Sequence, residues 1–563
     1  MELPKFKFRP KLVECLKNYD KQTFAQDAMS GLIVGIVALP LAIAFGIASG
    51  VSPEKGIITA IIAGFLISVF GGSKVQIGGP TGAFIVIIYG IIQQYGMSGL
   101  MIATALAGIF LILLGLLRLG TIIKFIPYPI IVGFTSGIAL TIFTTQIKDL
   151  FGLQIGEVPS DFVEKWIVYI QNFSSLDIWS TLVGVLSVII IAVMPKISSK
   201  IPGSLVAIVV MTLGVYLLER FCGINSIETI GDRFSINAAI PEATMPDLSW
   251  ENIKELVSPA ITIAILGAIE SLLSATVADG VIGDKHDSNQ ELIGQGIANI
   301  VSPIFGGIPA TGAIARTMTN INNGGKTPVA GIIHSAVLLL IFLFLMPLAR
   351  YIPMACLAGV LVVVAYNMSG WRTFLLLFKN PKSDVVVLLT TFILTVIFDL
   401  TIAIEVGLMI ACLLFMRRIM EASTVSLTVS ELDPDAGDDL HHAEGKIILP
   451  EGVEVYEISG PFFFGVANKF EEVMTEMGRC PKVRIIRMRR VPFIDSTGIH
   501  NLTNLCIMCK RSKIHVILSG VNPKVHKALA KAGFNDLVGK DNICPNFNMA
   551  LEKAKAVVNR TID

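Results

Sequence analysis

The first 420 residues of the chain alternate long apolar runs with short polar breaks. A helix needs roughly 17 to 25 apolar residues to cross a bilayer, and twelve runs are of about that length. They begin near Asp27, Glu54, Ser98, Pro129, Asp177 and Gly203 and, after a polar stretch, near Ser258, Gln290, Thr327, Ile352, Ser383 and Thr401. This pattern predicts a polytopic α-helical membrane protein.

Two further apolar segments, at about 80–94 and 311–321, are too short to span a bilayer alone. Each follows a glycine- and proline-containing phrase, GGPTGA at 78–83 and GGIPATGA at 306–313. Counted as half-helices, they give seven elements in each half of the chain and about fourteen in all. Because seven is odd, the second half enters the membrane from the opposite side. Inverted repeats with interrupted helices at matching places are typical of secondary transporters, whose substrate sites lie at those interruptions.

The composition supports a membrane protein and excludes some other classes. Of 563 residues, 53% are hydrophobic and 15% charged, and the mean hydropathy is +0.72. A net charge of +1 argues against a nucleic-acid partner. The eight cysteines are scattered, and the Cys506/Cys509 pair lacks a second ligand pair at zinc spacing. We therefore expect no metal site, no cofactor and no enzymatic activity.

Charge placement predicts the orientation, because basic residues concentrate in cytoplasmic loops. Residues 1–25 are basic and resemble no cleavable signal, so we expect them to be a cytoplasmic segment. Basic residues share one side: Lys74, Arg118, Lys124, Lys196, Lys200, Lys285, Lys326, Arg372, Lys379, Lys382, Arg417 and Arg418. The opposite loops are acidic: Glu157, Asp161, Glu164, Glu228, Asp232, Glu242, Asp247 and Glu251. The prediction is a multi-pass protein of the plasma membrane with both termini in the cytoplasm.

The composition changes after Arg418. Strand-like and helix-like runs then alternate: Val453–Ser459, a helix near Val466–Met477, Val483–Met488, a helix from Thr497, Ile514–Leu518 and a helix near Val525–Ala532. This predicts a small cytoplasmic α/β domain. The expected organisation is a first transmembrane repeat at 26–222, an extracytoplasmic loop at 223–257, a second repeat at 258–420, a linker at 421–450 and the α/β domain at 451–563.

Both repeated phrases place small residues at the start of a helix. Pro80 and Pro309 suit an extended entry or a first helical turn. The small residues after them are Gly82, Ala83, Gly312 and Ala313. They would let a ligand approach unpaired backbone N–H groups, which favour an anion at a helix N-terminus. The alternative is that these glycines serve close helix packing.

Two ionisable residues stand inside apolar segments, where charge is expensive. The Arg316 side chain suits a sulfate- or carboxylate-like group, although an interfacial arginine is the alternative. A carboxyl group at Glu270 could carry a proton in a low-dielectric setting. With Ser274 one turn later, it could instead help to bind a sodium ion. A structural ion pair, with Arg316 itself as one candidate partner, is the remaining alternative.

With these residues in place, the chain resembles the sulfate permease (SulP) family of anion transporters, which includes solute carrier family 26. The segment from Pro40 to Ala48 is similar to the family's first-span signature. The segments Asn289–Leu292 and Gly324–Thr327, with Arg316 between them, are similar to its most specific stretch. The tail resembles a STAS domain through Asp495-Ser-Thr-Gly498.

The resemblance implies seven plus seven inverted repeats divided into a core and a gate domain, with elevator-like alternating access. It places the anion between the third and tenth elements and implies a set of contacts: Phe45, Thr81, Gly82, Ala83, Gly312, Ala313 and Arg316. Glu270 corresponds to the family's eighth-span acidic position, which is linked to cation coupling. Leu41 stands where many members have glutamine, and Ile314 where sodium-driven members tend to have a hydroxyl residue. With Glu rather than Asp at 270, this favours proton coupling over sodium coupling.

The resulting prediction is proton-coupled symport of a small inorganic anion of the sulfate type by a homodimer. Sodium-coupled bicarbonate or C4-dicarboxylate transport, and an uncoupled anion channel or exchanger, stay open as alternatives. A third class is a membrane-tethered sensor acting through the tail, where Ser496 and Thr497 are candidates for regulatory phosphorylation. The competing interpretation is that these two residues cap a helix.

Overall fold

The computed structural model describes residues 8–121, 127–156, 158–159, 161–197, 202–235, 243, 250–398, 400–428, 431–432, 447–464 and 481–560. The chain divides into two compact units, Met1–Met409 and Ile410–Asp563. The expected helix near Val466–Met477 and most of the expected linker lie outside the described residues. The boundary between the units falls before the expected end of the second repeat at residue 420.

The first half of the membrane unit is helical apart from one very short strand. Its elements are α1 (Lys11–Cys15), α2 (Lys21–Ala48), α3 (Pro53–Phe70), β1 (Gly78–Gly79), α4 (Ile85–Leu116), α5 (Tyr128–Phe151), α6 (Phe162–Gln171), α7 (Ile178–Ile197), α8 (Gly203–Cys222) and α9 (Ile230–Arg233). Helix α2 begins before the expected repeat boundary at residue 26, because the Asp20 carboxylate caps its first turn by accepting from the Thr23 N–H at 2.7 Å.

The second half repeats this pattern. Its elements are α10 (Trp250–Ile282), α11 (Ser288–Ile304), β2 (Thr311–Gly312), α12 (Ile314–Asn322), α13 (Val329–Ala349), α14 (Met354–Ser369), α15 (Trp371–Leu377), α16 (Lys382–Ile397) and α17 (Leu400–Ala422). Helix α10 begins at Trp250, inside the segment expected to be an extracytoplasmic loop at 223–257. Among the described residues, nine helices are long and apolar enough to cross a membrane.

Both predicted half-helices are present. Gly96 interrupts α4 with non-helical dihedrals (φ 67°, ψ −169°), so residues 85–95 form a short helix that ends before 97–116 begins. Glycine tolerates this positive φ because it has no Cβ. The counterpart in the second half is α12, which has nine residues. Each half therefore contains seven membrane elements once α4 is counted as two.

The membrane helices pack as two bundles. The core bundle contains α2, α3, α4, α10, α11, α12 and α13, which pack mainly against one another. The gate bundle contains α5, α7, α8, α14 and α16. Both β1 and β2 lie in the core bundle, against α3 and α10 respectively.

Two buried carboxylates hold the halves of the core bundle together, and the sequence analysis singled out neither. Asp27 of α2 accepts the backbone N–H groups of Lys326 (2.7 Å) and Thr327 (3.1 Å) just before α13. Glu291 of α11 accepts the N–H groups of Gly72 (2.8 Å) and Ser73 (3.1 Å) just after α3. Each carboxylate therefore caps backbone contributed by the opposite repeat, which fixes the two repeats relative to each other.

The second unit contains the predicted α/β domain. Its elements are β3 (Thr424–Thr428), β4 (Glu431–Leu432), β5 (Ile447–Ile448), β6 (Val453–Ser459), β7 (Val483–Arg487), α18 (Ser496–Arg511), β8 (His515–Ser519), α19 (Pro523–Lys531), α20 (Phe534–Val538), β9 (Ile543–Cys544) and α21 (Phe547–Arg560). The main sheet has the order β3-β6-β7-β8-β9, with β3 antiparallel to β6 and the other pairs parallel. The expected linker at 421–450 is therefore wrong for residues 424–428, which are an edge strand of this sheet.

Candidate functional site

The two repeated phrases meet in the middle of the core bundle. Strands β1 and β2 pair antiparallel, with Gly78 opposite Gly312 and Gly79 opposite Thr311, and all four residues are buried. Just beyond the bridge, the Ala313 N–H donates to the Ile77 carbonyl at 2.9 Å. The half-helices 85–95 and α12 therefore start next to each other, each from one strand of this antiparallel pair.

Unpaired N–H groups lie at both helix starts. A short 3₁₀ turn, Gly82–Phe84, leads into α4, and α12 begins at Ile314. The first N–H groups of a helix have no partner within that helix. Among the described residues, none accepts the N–H groups of Gly82 and Ala83 at one start or of Ile314 and Ala315 at the other. Two partly positive helix ends therefore have donors free for an anion.

The N–H groups of Gly312 and Ala313 are themselves hydrogen-bonded inside the protein. The Gly312 N–H donates to the Ser271 hydroxyl at 3.2 Å, and the Ala313 N–H is taken by Ile77. Because these bonds hold the second phrase against α10 and β1, the free N–H groups of the second half begin one residue later, at Ile314. The sequence gives no local sign of this, since the acceptors come from distant segments.

Phe45 lies at the first helix start, as the resemblance implied. A Cβ placed on Gly82 would be 3.4 Å from Phe45 Cε1, 3.3 Å from Ile142 Cδ1 and 3.0 Å from Met368 Sδ. Ile142 belongs to α5 and Met368 to α14, so two helices of the gate bundle face the helix start directly. Sequence reasoning missed both residues, because they are apolar residues inside apolar runs.

Glu270 is connected to the first helix start through Thr81. The Thr81 hydroxyl donates to Glu270 Oε2 at 2.7 Å. Ser274 points elsewhere: its hydroxyl donates to Thr317 Oγ1 at 3.4 Å. The structure therefore brings Glu270 to Thr81 but gives Glu270 and Ser274 no mutual contact.

Arg316 lies behind the first phrase. Its side chain is 2% exposed and donates to the carbonyls of Gly78 (3.4 Å) and Pro80 (3.1 Å). A Cβ on Gly79, whose φ is 151°, would collide with Arg316 Nη1, so this close approach requires glycine. In the described part of the chain, no carboxylate lies within 4.0 Å of the guanidinium, and this excludes the ion pair with Glu270 considered above. Arg316 contributes a buried positive charge without a counter-ion.

A polar network around the bridge was not foreseen. Gln76 Nε2 donates to the Ser271 carbonyl (3.0 Å), and the hydroxyls of Ser271 and Thr311 lie 2.5 Å apart. The Asn299 amide pairs with both the N–H (2.9 Å) and the carbonyl (2.8 Å) of Ala310. Buried networks of this kind fix a single backbone geometry when fully satisfied. Asn299 could have been found as a polar residue inside an apolar run, whereas Gln76 stands in the short segment between α3 and the first phrase and gave no such signal.

In the α/β unit, Asp495 caps α18. Its carboxylate accepts the N–H groups of Gly498 at 2.8 Å and Phe464 at 3.1 Å. Ser496 and Thr497 are exposed at the start of the helix and are not its cap, so the capping interpretation of these two residues is wrong. Cys506 and Cys509 are free and buried on the inner face of α18. In the part of the chain that the structure describes, no group of three metal-ligating side chains occurs.

Two family models match the chain. The sulfate permease family model matches residues 24–391, and the STAS domain model matches residues 447–551. The first match covers the membrane elements from α2 to most of α16, including both repeated phrases. The second covers the α/β unit from β5 to the first turn of α21, and thus every strand of the main sheet except β3.

Individual relatives agree with these matches. A putative sulfate transporter of Bacillus subtilis, YvdB, is 41% identical over 93% of this chain and 97% of its own length. The bicarbonate transporter BicA of Picosynechococcus is 30% identical over 94% of each chain. The murine Slc26a9 anion transporter in its inward-facing state has the same fold, with a TM-score of 0.87 over 99% of this chain and 96% of that one, at 19% identity. The chain is a multi-pass membrane protein of the sulfate permease family with a C-terminal STAS domain.

Proposed function

We propose that this anion transporter of the sulfate permease family couples the uptake of a divalent inorganic anion, sulfate in the first instance, to proton entry. The observation that carries the proposal is the buried Arg316, which has no carboxylate partner among the described residues and lies beside two helix starts with free N–H groups. Two helix ends contribute roughly half a positive charge each, and the guanidinium adds one. A dianion would balance this charge when Glu270 is protonated.

The hydrogen bond between Thr81 and Glu270 supplies a physical link between proton and anion. When Glu270 is ionised, its carboxylate can only accept, so the Thr81 hydroxyl proton is held by Glu270. When Glu270 is protonated, its own O–H can donate to Thr81, and the Thr81 proton can turn to the anion. Proton binding therefore adds one donor and removes one negative charge at the site, and both changes favour the anion.

The position of the site supports an elevator-like movement. The free N–H groups belong to the core bundle, whereas Ile142 and Met368, which face Gly82, belong to the gate bundle. Sliding the core bundle past these two side chains would carry the anion between the two membrane faces without dismantling the bridge of β1 and β2. We further propose that both termini lie in the cytoplasm, as the basic loops indicate, and that the protein acts as a homodimer in the plasma membrane.

Sodium-coupled bicarbonate transport is the second candidate, and the similarity to the bicarbonate transporter BicA favours the bicarbonate part of it. Against it, the Ser274 hydroxyl is directed at Thr317 and does not join Glu270 in an oxygen cage. Sodium requires several oxygen ligands, and Glu270 together with Ser274 was the only pair that the sequence offered for this role.

The test is radiolabelled sulfate uptake into proteoliposomes driven by an inward proton gradient, with fumarate, bicarbonate and sodium as comparisons. Glu270→Gln should lose gradient-driven accumulation but keep sulfate exchange down its own gradient. The matched control is Glu255→Gln, the same change at an exposed position of the same helix. Full proton-driven accumulation by Glu270→Gln, or accumulation that follows sodium rather than protons, would contradict the proposal.

A further inference from the structure

A buried lysine without a partner lies outside the site described above. Lys165, on α6, is 5% exposed. Among the described residues, its ammonium has no hydrogen-bond acceptor and no carboxylate within 4.0 Å. Asp161, one turn earlier, directs Oδ1 at the N–H groups of Val163 (2.8 Å) and Glu164 (3.0 Å) and so caps the helix.

Lys165 lines a cavity between the two bundles. The cavity has a volume of about 360 Å³ and is bordered by one face of the half-helix 85–95, by α5 and by the end of α16. Its polar lining includes Tyr89 and Gln94 from the half-helix, Thr141 and Thr145 from α5, and Asp161 at the start of α6. About 18 Å of helix, at 1.5 Å per residue, separates Gln94 from the free N–H of Gly82. The cavity therefore runs along the half-helix 85–95, whose N-terminal end belongs to the candidate anion site.

The charge in the cavity favours an anion near Lys165. Burial lowers the pKa of Lys165, and the nearby Asp161 opposes this shift. The Asp161 charge is itself compensated by the α6 N-terminus that it caps. Lys165 lines the cavity without a counter-ion among the described residues, and an anion that enters the cavity would supply one. In the same part of the chain, the buried hydroxyl of Tyr169, one turn after Lys165, has no hydrogen-bond partner.

We propose that Lys165 forms a second anion site, an entry site at which a small oxyanion waits before it moves to the helix starts. The cavity lies at the end of the membrane unit where the acidic loops predict the external face. The entry site rests on the proposed anion transport, and it predicts an asymmetry that the central site alone does not. Removing the ammonium should weaken anion capture from the external side only.

The experiment compares sulfate transport kinetics from the two sides of the membrane. Uptake into intact cells samples the external face, and uptake into inverted membrane vesicles samples the cytoplasmic face. Lys165→Gln should raise the external KM about tenfold, the scale of one charge-assisted hydrogen bond, with Vmax and the KM from the cytoplasmic side unchanged. Lys165→Arg should keep the wild-type KM on both sides.

The matched control is Lys148→Gln. Lys148 lies on α5, three residues after the cavity-lining Thr145, but its ammonium already donates to the Gly156 carbonyl at 3.0 Å. The external KM of Lys148→Gln should therefore equal that of the wild type. An unchanged external KM in Lys165→Gln, or an equal rise on both sides, would overturn the entry site while leaving the proposed transport intact. Absence of sulfate transport by the wild type in both preparations would instead count against the proposed function.

Chemical rescue covers the case in which Lys165→Gln folds poorly. In a background with the exposed Cys222 and Cys412 changed to serine, Lys165→Cys can be treated from outside with aminoethyl methanethiosulfonate, which restores an ammonium of similar reach. The sulfonate-bearing reagent of the same class installs a negative charge instead. The account expects the first to restore the external KM and the second to raise it further; equal effects of the two would refute it.

Titration gives an independent check. Because burial lowers the pKa of Lys165, the ammonium loses its proton at a lower pH than an ordinary lysine, and the entry site loses its charge as the external pH rises. The external KM of the wild type should therefore increase in alkaline medium more steeply than that of Lys165→Arg, because arginine stays protonated and the proposed proton coupling at Glu270 affects both proteins alike. The same alkaline increase in both proteins would contradict the assignment.

Discussion

The half-helix 85–95 and α12 start from one antiparallel bridge, but the residues before them are engaged differently. In the first half, the N–H groups of Gly82 and Ala83 are free and Thr81 contacts Glu270. In the second half, Gly312 and Ala313 are hydrogen-bonded inside the protein, and Arg316 reaches across to hold the carbonyls of the first phrase. The first start is therefore linked to Glu270, the proposed proton carrier, whereas the second has free donors only from Ile314 onward and adds anchoring and charge.

This difference shows how an inverted repeat can divide two tasks between similar phrases. The second phrase is longer, and Ser271 and Asn299 hold it at two points. The first phrase has Arg316 as its main side-chain brace. The two similar phrases therefore place two helix N-termini beside each other, and the different side chains around each phrase give the two N-termini different roles.

The largest effect is expected from Arg316→Gln. Removing a buried charge that has no carboxylate partner leaves the site with only its two helix ends, so a dianion loses about half of the compensating charge. Sulfate uptake should fall at least about a hundredfold, the scale of a few kcal/mol of lost charged interaction. Uptake assays with Arg372→Gln, an exposed arginine of α15, provide the control. If Arg316→Gln kept more than half of the wild-type uptake rate, the proposed role of Arg316 in anion binding would be wrong.

Gly82→Ala and, as a control, Gly214→Ala in α8 test whether the anion uses the first start. A Cβ on Gly82 would lie 3.0–3.4 Å from three side chains, whereas a Cβ on Gly214 meets nothing within 4 Å. The added methyl group at 82 should narrow the space in front of the free N–H groups and lower sulfate uptake about tenfold, with KM as the sensitive parameter. Equal uptake by the two variants would show that the anion does not use this start.

Thr81→Ala and Thr317→Ala compare the hydroxyls of the two halves. Thr81 contacts Glu270, whereas the Thr317 hydroxyl accepts the Ile77 N–H at 3.1 Å and braces the bridge. Thr81→Ala should weaken the dependence of uptake on the proton gradient severalfold and leave the melting temperature almost unchanged. Thr317→Ala should do the opposite. If both variants changed coupling equally, the division of tasks would be wrong.

The smallest effect is expected from Ser271→Ala, which acts on stability. It leaves the Gly312 N–H without its acceptor and removes the contact with Thr311, at a cost of about 1–3 kcal/mol in the free energy of unfolding. Thermal unfolding in detergent measures this cost, and the proton dependence of uptake should not change. An unchanged melting temperature would show that the second phrase is anchored by other contacts.

The sequence predicted the architecture well because the decisive signals are local. Apolar run lengths indicated the spans, the repeated phrases and the short runs after them indicated two half-helices, and strand alternation indicated β6, which has the expected bounds Val453–Ser459. The edge strand β3 was missed because its partner β6 lies more than twenty residues away along the chain.

The site was only partly predictable. Phe45, Thr81, Gly82, Glu270 and Arg316 do come together, but the partners of each depend on segments far apart in sequence. No local pattern reveals that Arg316 points back to Gly78 and Pro80, that Ser271 takes the Gly312 N–H, or that Met368 faces Gly82. Hydrogen bonds and contacts of this kind follow from the packing of the bundle, which the sequence specifies only as a whole.

The central claim is that one anion binds between the two helix starts. The most direct measurement is a structure of the protein with selenate, whose anomalous signal locates the anion. The account predicts a selenium peak about 4 Å from the backbone nitrogens of Gly82 and Ala83, because the selenate oxygens would lie about 3 Å from those nitrogens; the peak should face Ile314 and Ala315 and be lost in Arg316→Gln. A selenate-transporting protein whose peak lies away from both helix starts would contradict the account.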